Sequence, residues 1–178
     1  MEWNIRSSRL VYTLEGRYSV YDRVYDLPNG STRAELFIDS LQVVTVLAQD
    51  KDDVLLIRQY RPGIDRVIVD LPSGYMEMGE RAEQTARRKL EEETGYRAGE
   101  LIFLGSYYPE PGISNKQAHA FLARRLRLVG QEPEEDGFTE VVRVPILEFY
   151  RNVENNIYHS VNVAYCAMLA RKFIYLYI

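Results

Sequence analysis

Cysteine is almost absent from this chain: one residue, Cys166, in 178. A single thiol excludes an internal disulfide and points to an intracellular, reducing setting, expected here to be the cytoplasm. Cys166 lies in an apolar run from Val161 to Leu169, which suits a small buried residue better than a nucleophile. Histidine is nearly as scarce, and the two isolated copies, His119 and His159, read as structural. Positive charge is not in excess: 22 Lys and Arg stand against 26 Asp and Glu, a net charge of −4. No general attraction to nucleic acid or to an anionic membrane is therefore expected. Long hydrophobic runs are missing too, since no segment approaches the ~20 apolar residues that span a bilayer. The first residues lack the apolar stretch and cleavage site of a signal peptide. Together these absences lead us to expect a soluble protein with one domain plus a small accessory element.

What is present is core material: 46% of the residues are hydrophobic and 12% aromatic. Residues 10–39 read as strands, with Tyr18, Val20, Leu36 and Ile38 alternating with polar neighbours. Pro28-Asn29-Gly30-Ser31 suits a hairpin tip, because Asn-Gly tolerates positive φ. Gln42 to Gln49 is a β-branched run of the kind covered on both faces, and the charged turn 50–53 joins it to Val54–Ile57 as a hairpin. A short strand, Val67–Val69, leads to Leu71-Pro72-Ser73-Gly74. A helix over 80–94 follows, with Ala82, Ala86 and Leu90 as its apolar stripe and Gly95 as a left-handed cap. Strands near 101–108, 118–128 and 139–144 come next, then a short helix from Pro145 and a last helix over 161–172 capped by Ser160. Strands before, between and after helices predict an α/β sandwich.

The segment from Gly74 to Tyr96 carries the chemistry. At ~100° per residue, positions 89, 92 and 93 of the helix share one flank. Two carboxylates held side by side, Glu92 and Glu93, repel unless a cation lies between them, so they form a candidate Mg²⁺ or Mn²⁺ site of hard oxygen ligands. The Gly74 turn can bring a backbone carbonyl close, that of Ser73. A Glu-rich helix by itself is usually a solvated face. The glycine turn, isolated Glu80, Arg88 and capping Gly95 at fixed distances argue otherwise.

That spacing resembles the Nudix box, Gly-x5-Glu-x7-Arg-Glu-U-x-Glu-Glu-x-Gly-U, where U is bulky and apolar or aromatic. Gly74, Glu80, Arg88, Leu90, Glu92, Glu93, Gly95 and Tyr96 fit it, and Lys89 stands where the family has glutamate. Gln59-Tyr60-Arg61-Pro62 before the box and Tyr108-Pro109-Glu110-Pro111-Gly112 after it resemble the ADP-ribose pyrophosphatase branch. The resemblance implies a Nudix-type α/β/α sandwich with a mixed sheet over residues 41–178. It also implies a small N-terminal antiparallel sheet over residues 1–40 that helps form a homodimer.

The same resemblance implies hydrolysis of the diphosphate in ADP-ribose or a related nucleotide sugar. Glu92, Glu93 and the Ser73 carbonyl would hold the metal. Arg58, Arg61, Arg66, Pro111 and Gly112 would contact substrate, arginine forks being suited to phosphate oxygens. Tyr18, Tyr21 and Tyr25 could offer an aromatic face for a base, although core or dimer packing is the better account of each. Relatives of this branch often take a general base from a glutamate in a loop after the box, where this chain has Glu134, Glu135 and Asp136; Glu135 is the candidate. Arg88 is expected to orient Glu92 at i+4, and Glu80 either to stabilise the helix start or to serve the site directly. Lys89, together with Lys116 near a position where such enzymes carry an acid, leaves an alternative: a Nudix-fold protein that binds nucleotide sugars without efficient hydrolysis.

Overall fold

The structure is a computed structural model that describes residues 2–130 and 139–174. The chain forms two compact units. One comprises the chain through Gln42 with Tyr107–Ala118; the other comprises Val43–Ser106 with the chain from His119 onward.

The first unit is built on three antiparallel strands in spatial order β1 (Asn4–Leu14), β2 (Tyr18–Asp26), β3 (Thr32–Ser40). The Asn-Gly tip forms as expected: Gly30 takes φ of 83°, and the Asn29 side chain accepts the Ser31 N–H at 3.0 Å. β1 starts well before residue 10, where the sequence pattern begins. Register shifts between Ile5 and Ser7 and between Leu10 and Tyr12 break its two-residue alternation, which hid it. The segment 107–118 belongs to this unit because Ile113 O accepts the Ile38 N–H at 2.8 Å. Asn115 completes the attachment by accepting the Ser40 N–H at 2.9 Å.

The second unit is a seven-stranded mixed sheet. It contains β4 (Val43–Asp50), β5 (Asp53–Arg61), β6 (Arg66–Asp70), β7 (Ser73–Tyr75), β8 (Tyr96–Tyr107), β9 (Ala118–Leu128) and β10 (Glu140–Pro145). The central order is β10-β5-β4-β9-β8, with β6 paired to β5 and β7 to β4. Helices α1 (Ala82–Thr94), α2 (Ile146–Glu154) and α3 (Val161–Ala170) accompany it.

β4 is buried along most of its length, as its β-branched run requires. Its alternate residues Val44, Val46 and Ala48 pack in one cluster with Ala86 and Leu90 of α1. Thr45 and Leu47 point the other way, and α3 also packs on β4, so helices cover both faces. α1 starts at Ala82 rather than at 80, with Gln84 accepting the Arg81 N–H at 2.9 Å. It ends at Gly95, whose φ of 74° and N–H bond to Glu91 O are the expected left-handed cap. Pro145 closes β10 and precedes α2 instead of opening it. Ser160 occupies the cap position of α3 without a side-chain hydrogen bond. Among the described residues, no helix is long and apolar enough to cross a membrane.

Candidate active site

The acidic helix is fixed to the sheet through β7. Antiparallel pairing sets Ser73 opposite Thr45 and Gly74 opposite Val44. The Ser73 N–H donates to Glu93 Oε2 at 3.0 Å, so the strand turn and the helix are clamped by one charge-assisted bond. Glu93 is only 6% exposed, a burial that a carboxylate tolerates only when it is bonded. Glu92, one residue earlier, lies at the surface of the same flank with its side chain 37% exposed.

Arg88 organises the rest. Its Nε and Nη2 donate to the two oxygens of Glu80 at 2.8 and 2.7 Å, a bidentate fork. Nη2 also donates to the Tyr75 carbonyl at 3.2 Å, and Nη1 reaches Glu92 at 3.4 Å. Glu80 further accepts the Glu77 N–H at 2.9 Å and the Thr85 hydroxyl at 2.7 Å. The Arg88 guanidinium accordingly pulls the Glu80 carboxyl down to about 2, and the same bonds push Arg88 up. Glu80 is therefore an anchor for Arg88 and for the turn before α1, and Arg88 makes a second, longer ion pair with Glu92.

Lys89 projects from the same flank. Its Nζ lies 2.8 Å from Glu92 Oε2, and the side chain is 21% exposed. The stem runs directly over Gly74: a methyl group at that glycine would come within 2.4 Å of Lys89 Cε and 2.6 Å of Cδ. Only glycine leaves room for this lysine in its present position. The structure thus brings Ser73, Gly74, Lys89, Glu92 and Glu93 together. Among the described residues, no group of three or more His, Cys, Asp or Glu side chains converges as a metal cluster.

The NUDIX domain family matches residues 40–161, and the match contains this whole constellation. The chain belongs to the Nudix family. It is 35% identical over 149 residues to the ADP-ribose pyrophosphatase of Bacillus subtilis (strain 168), covering 82% of this chain and 80% of that one. It is 31% identical over 142 residues to the methanol dehydrogenase activator of Bacillus methanolicus, covering 78% and 77%. A solved structure described as an ADP compounds hydrolase superposes with a TM-score of 0.85 at 21% identity, covering 97% of this chain and 94% of that one. At that identity the likeness speaks for the fold.

Around the Nudix helix, the arginines singled out from the sequence take different positions. Arg58 pairs with Glu140 across β5 and β10 at 2.8 Å. Arg61 donates to Asp70 Oδ2 at 2.8 Å, and Asp70, 2% exposed, also accepts the Leu71 N–H at 2.9 Å. Arg66 is exposed and lies directly opposite Arg61 in the β5–β6 pairing, which places two cations side by side at a hairpin end. Sequence reasoning missed Asp70, whose one signal was an acid inside the apolar run Val67–Leu71.

Pro111 and Gly112 belong to the first unit, where they line a cleft of about 590 Å³ with Trp3, Arg23, Tyr25 and Phe37. Tyr25 faces that cleft, whereas Tyr21 packs on Phe37 and Tyr18 on Tyr12. Lys116 pairs with Glu110 at 3.6 Å. His119 Nδ1 lies 2.8 Å from the Ser106 hydroxyl, and burial lowers its basicity. Glu134, Glu135 and Asp136 lie outside the described residues.

Proposed function

We propose that this Nudix protein hydrolyses the diphosphate of ADP-ribose or a related nucleotide sugar, with Mg²⁺ or Mn²⁺ as cofactor. Water would attack one phosphorus and the bridging P–O bond would break, giving a nucleoside monophosphate and a sugar phosphate. The observation that carries this reading is the locked carboxylate. Glu93 is buried, bonded to the Ser73 N–H, and adjacent to Glu92 on a helix that the β4–β7 pairing fixes in place. Support for the substrate class comes from relatives named ADP-ribose pyrophosphatase in Bacillus subtilis and in Mycobacterium tuberculosis.

The donor set suits one hard divalent cation better than several. Glu93 and the Ser73 carbonyl would supply oxygen ligands, and Glu92 would supply another on releasing the Lys89 ammonium 2.8 Å away. Such a cation, when bound, neutralises diphosphate charge and lowers the pKa of water. The chain's own residues do the positioning. Arg88, anchored by Glu80, keeps Glu92 on its flank, and the Ser73 N–H keeps Glu93 turned toward the β7 backbone. Arg61, steadied by buried Asp70, and Arg66 opposite it present guanidinium groups suited to phosphate oxygens. Glu135 is our candidate for the general base.

The decisive experiment is release of nucleoside monophosphate from ADP-ribose in Mg²⁺ by wild type and by Glu93→Gln. Glutamine retains an oxygen to accept the Ser73 N–H, so the fold survives, while hydrolysis should fall at least ~10²-fold. The Lys89–Glu92 pair favours a second reading, binding without efficient turnover. A silent wild type together with an active Lys89→Glu variant would establish that alternative.

A homodimer in the cytoplasm completes the proposal. β1 is an 11-residue edge strand, exposed throughout, and carries Ile5, Leu10, Val11, Tyr12 and Leu14. Such an edge needs cover. Light scattering giving a monomer mass at micromolar concentration would remove the dimer from this reading.

A further inference from the structure

We infer that the Lys89 ammonium is a built-in cation of this site: it occupies charge space that a second divalent ion would need, and it lets the nucleotide diphosphate bind without added metal. The inference rests on the proposed diphosphate substrate.

Three observations carry it. First, Lys89 Nζ lies 2.8 Å from Glu92, so one member of the carboxylate pair is already neutralised by a group that cannot diffuse away. Second, the lysine is seated rather than waving in solvent. Its Cγ, Cδ and Cε pass so close to Gly74 that a methyl group there would overlap them unless the stem moved, and only about a fifth of it is exposed. Third, the charge change is large. A carboxylate at position 89 would add −1 beside Glu92 and Glu93, whereas lysine adds +1, a swing of two charges on one helix flank. An ammonium so held repels an incoming Mg²⁺ and attracts a phosphate oxygen, being a compact point charge of the kind that phosphate binding uses.

The test uses the full chain and three forms: wild type, Lys89→Glu and Lys89→Met. Circular dichroism first checks that each is folded. Mn²⁺ binding is counted by electron paramagnetic resonance, and ADP-ribose binding is measured by calorimetry in EDTA and in Mg²⁺. Wild type should bind no more than one Mn²⁺, and Lys89→Glu should bind at least one more ion or bind Mn²⁺ at least ~10-fold more tightly. In EDTA, wild type should keep ADP-ribose affinity within ~3-fold of its Mg²⁺ value, while Lys89→Met loses ~10-fold.

Equal Mn²⁺ stoichiometry and affinity in wild type and Lys89→Glu would overturn the inference. So would loss of ADP-ribose binding by wild type in EDTA when it binds in Mg²⁺. If no form binds ADP-ribose under any condition, the substrate reading falls, together with metal-free nucleotide binding. The Mn²⁺ counts then still decide whether Lys89 displaces an ion.

Discussion

Gly74→Ala should destabilise the protein only while Lys89 is present. The added methyl would lie 2.4, 2.6 and 2.9 Å from Lys89 Cε, Cδ and Cγ, where ordinary contacts begin near 3.4 Å. Gly74 is not among the residues with positive φ, so its backbone admits alanine, and the three atoms nearest the added methyl all belong to the lysine. The lysine stem is flexible and can yield, so the cost is that of an off-rotamer side chain, about 0.5–1.5 kcal/mol. Swinging the stem aside also gives up the Glu92 ion pair, worth roughly 0.5–1 kcal/mol at this exposure. Against these, alanine lowers unfolded-state entropy by about 0.4–1 kcal/mol.

The net expectation is a loss of about 0.5–1.5 kcal/mol, or a melting temperature lower by roughly 1–6 °C for a chain of this size. In a Lys89→Ala background the clash has no partner and only the entropy gain remains, so the same substitution should be neutral or slightly stabilising. Urea denaturation of the four proteins, followed by far-UV circular dichroism, gives the coupling directly. We expect about 1–2.5 kcal/mol. Additivity to within ~0.5 kcal/mol would show that the lysine does not lie on the glycine, and the seated cation would lose its main support.

Three further outcomes follow from the same geometry. Glu80 has its carboxyl drawn from an ordinary 4.5 to about 2, so its contribution is complete above pH 4.5 and is lost as pH falls toward 2. Glu80→Gln should cost about 1–2 kcal/mol at pH 7 once solvent screening is allowed for, and should flatten the acid limb of a stability–pH curve; an unchanged limb would contradict the Arg88 anchor. Arg61→Ala leaves the buried Asp70 carboxylate with the Leu71 N–H and should cost about 2–3 kcal/mol, part of which Asp70→Asn restores in the double variant. Full additivity in that denaturation cycle would show the pair to be idle. Cys166 is buried, and burial and nearby Asp70 push its thiol far up, so the native protein should resist thiol reagents at pH 8 and react only on unfolding; rapid native labelling would refute this.

The Nudix helix was legible because its signal is local. Ala86 and Leu90 fall on one stripe, Gly95 sits one step past the last turn, and Glu92 and Glu93 follow by arithmetic at ~100° per residue. For Arg88 the same arithmetic finds the Glu92 contact at i+4, which the structure contains at 3.4 Å, but not the stronger one. Its strong partner is Glu80, eight residues back, because the irregular turn before Ala82 folds that carboxylate under the helix, outside the reach of helical spacing. Asp70 escaped for a related reason: its partner Arg61 is brought opposite by the β5–β6 hairpin, and an acid in an apolar run gives no hint of which cation it meets. The attachment of Asn115 to Ser40 spans 75 residues and uses one side-chain oxygen, which no periodicity encodes.

Lys89 shows the division most sharply. That an ammonium replaces a carboxylate could be read from one letter, and that letter alone left open whether the side chain turns to solvent or into the site. Pairing between β4 and β7 decides the matter, because it places a residue without a side chain under the helix at Gly74 and so leaves a channel for the lysine stem. A swing of two charges at the proposed diphosphate site therefore acts through the missing methyl group of a glycine fifteen residues away.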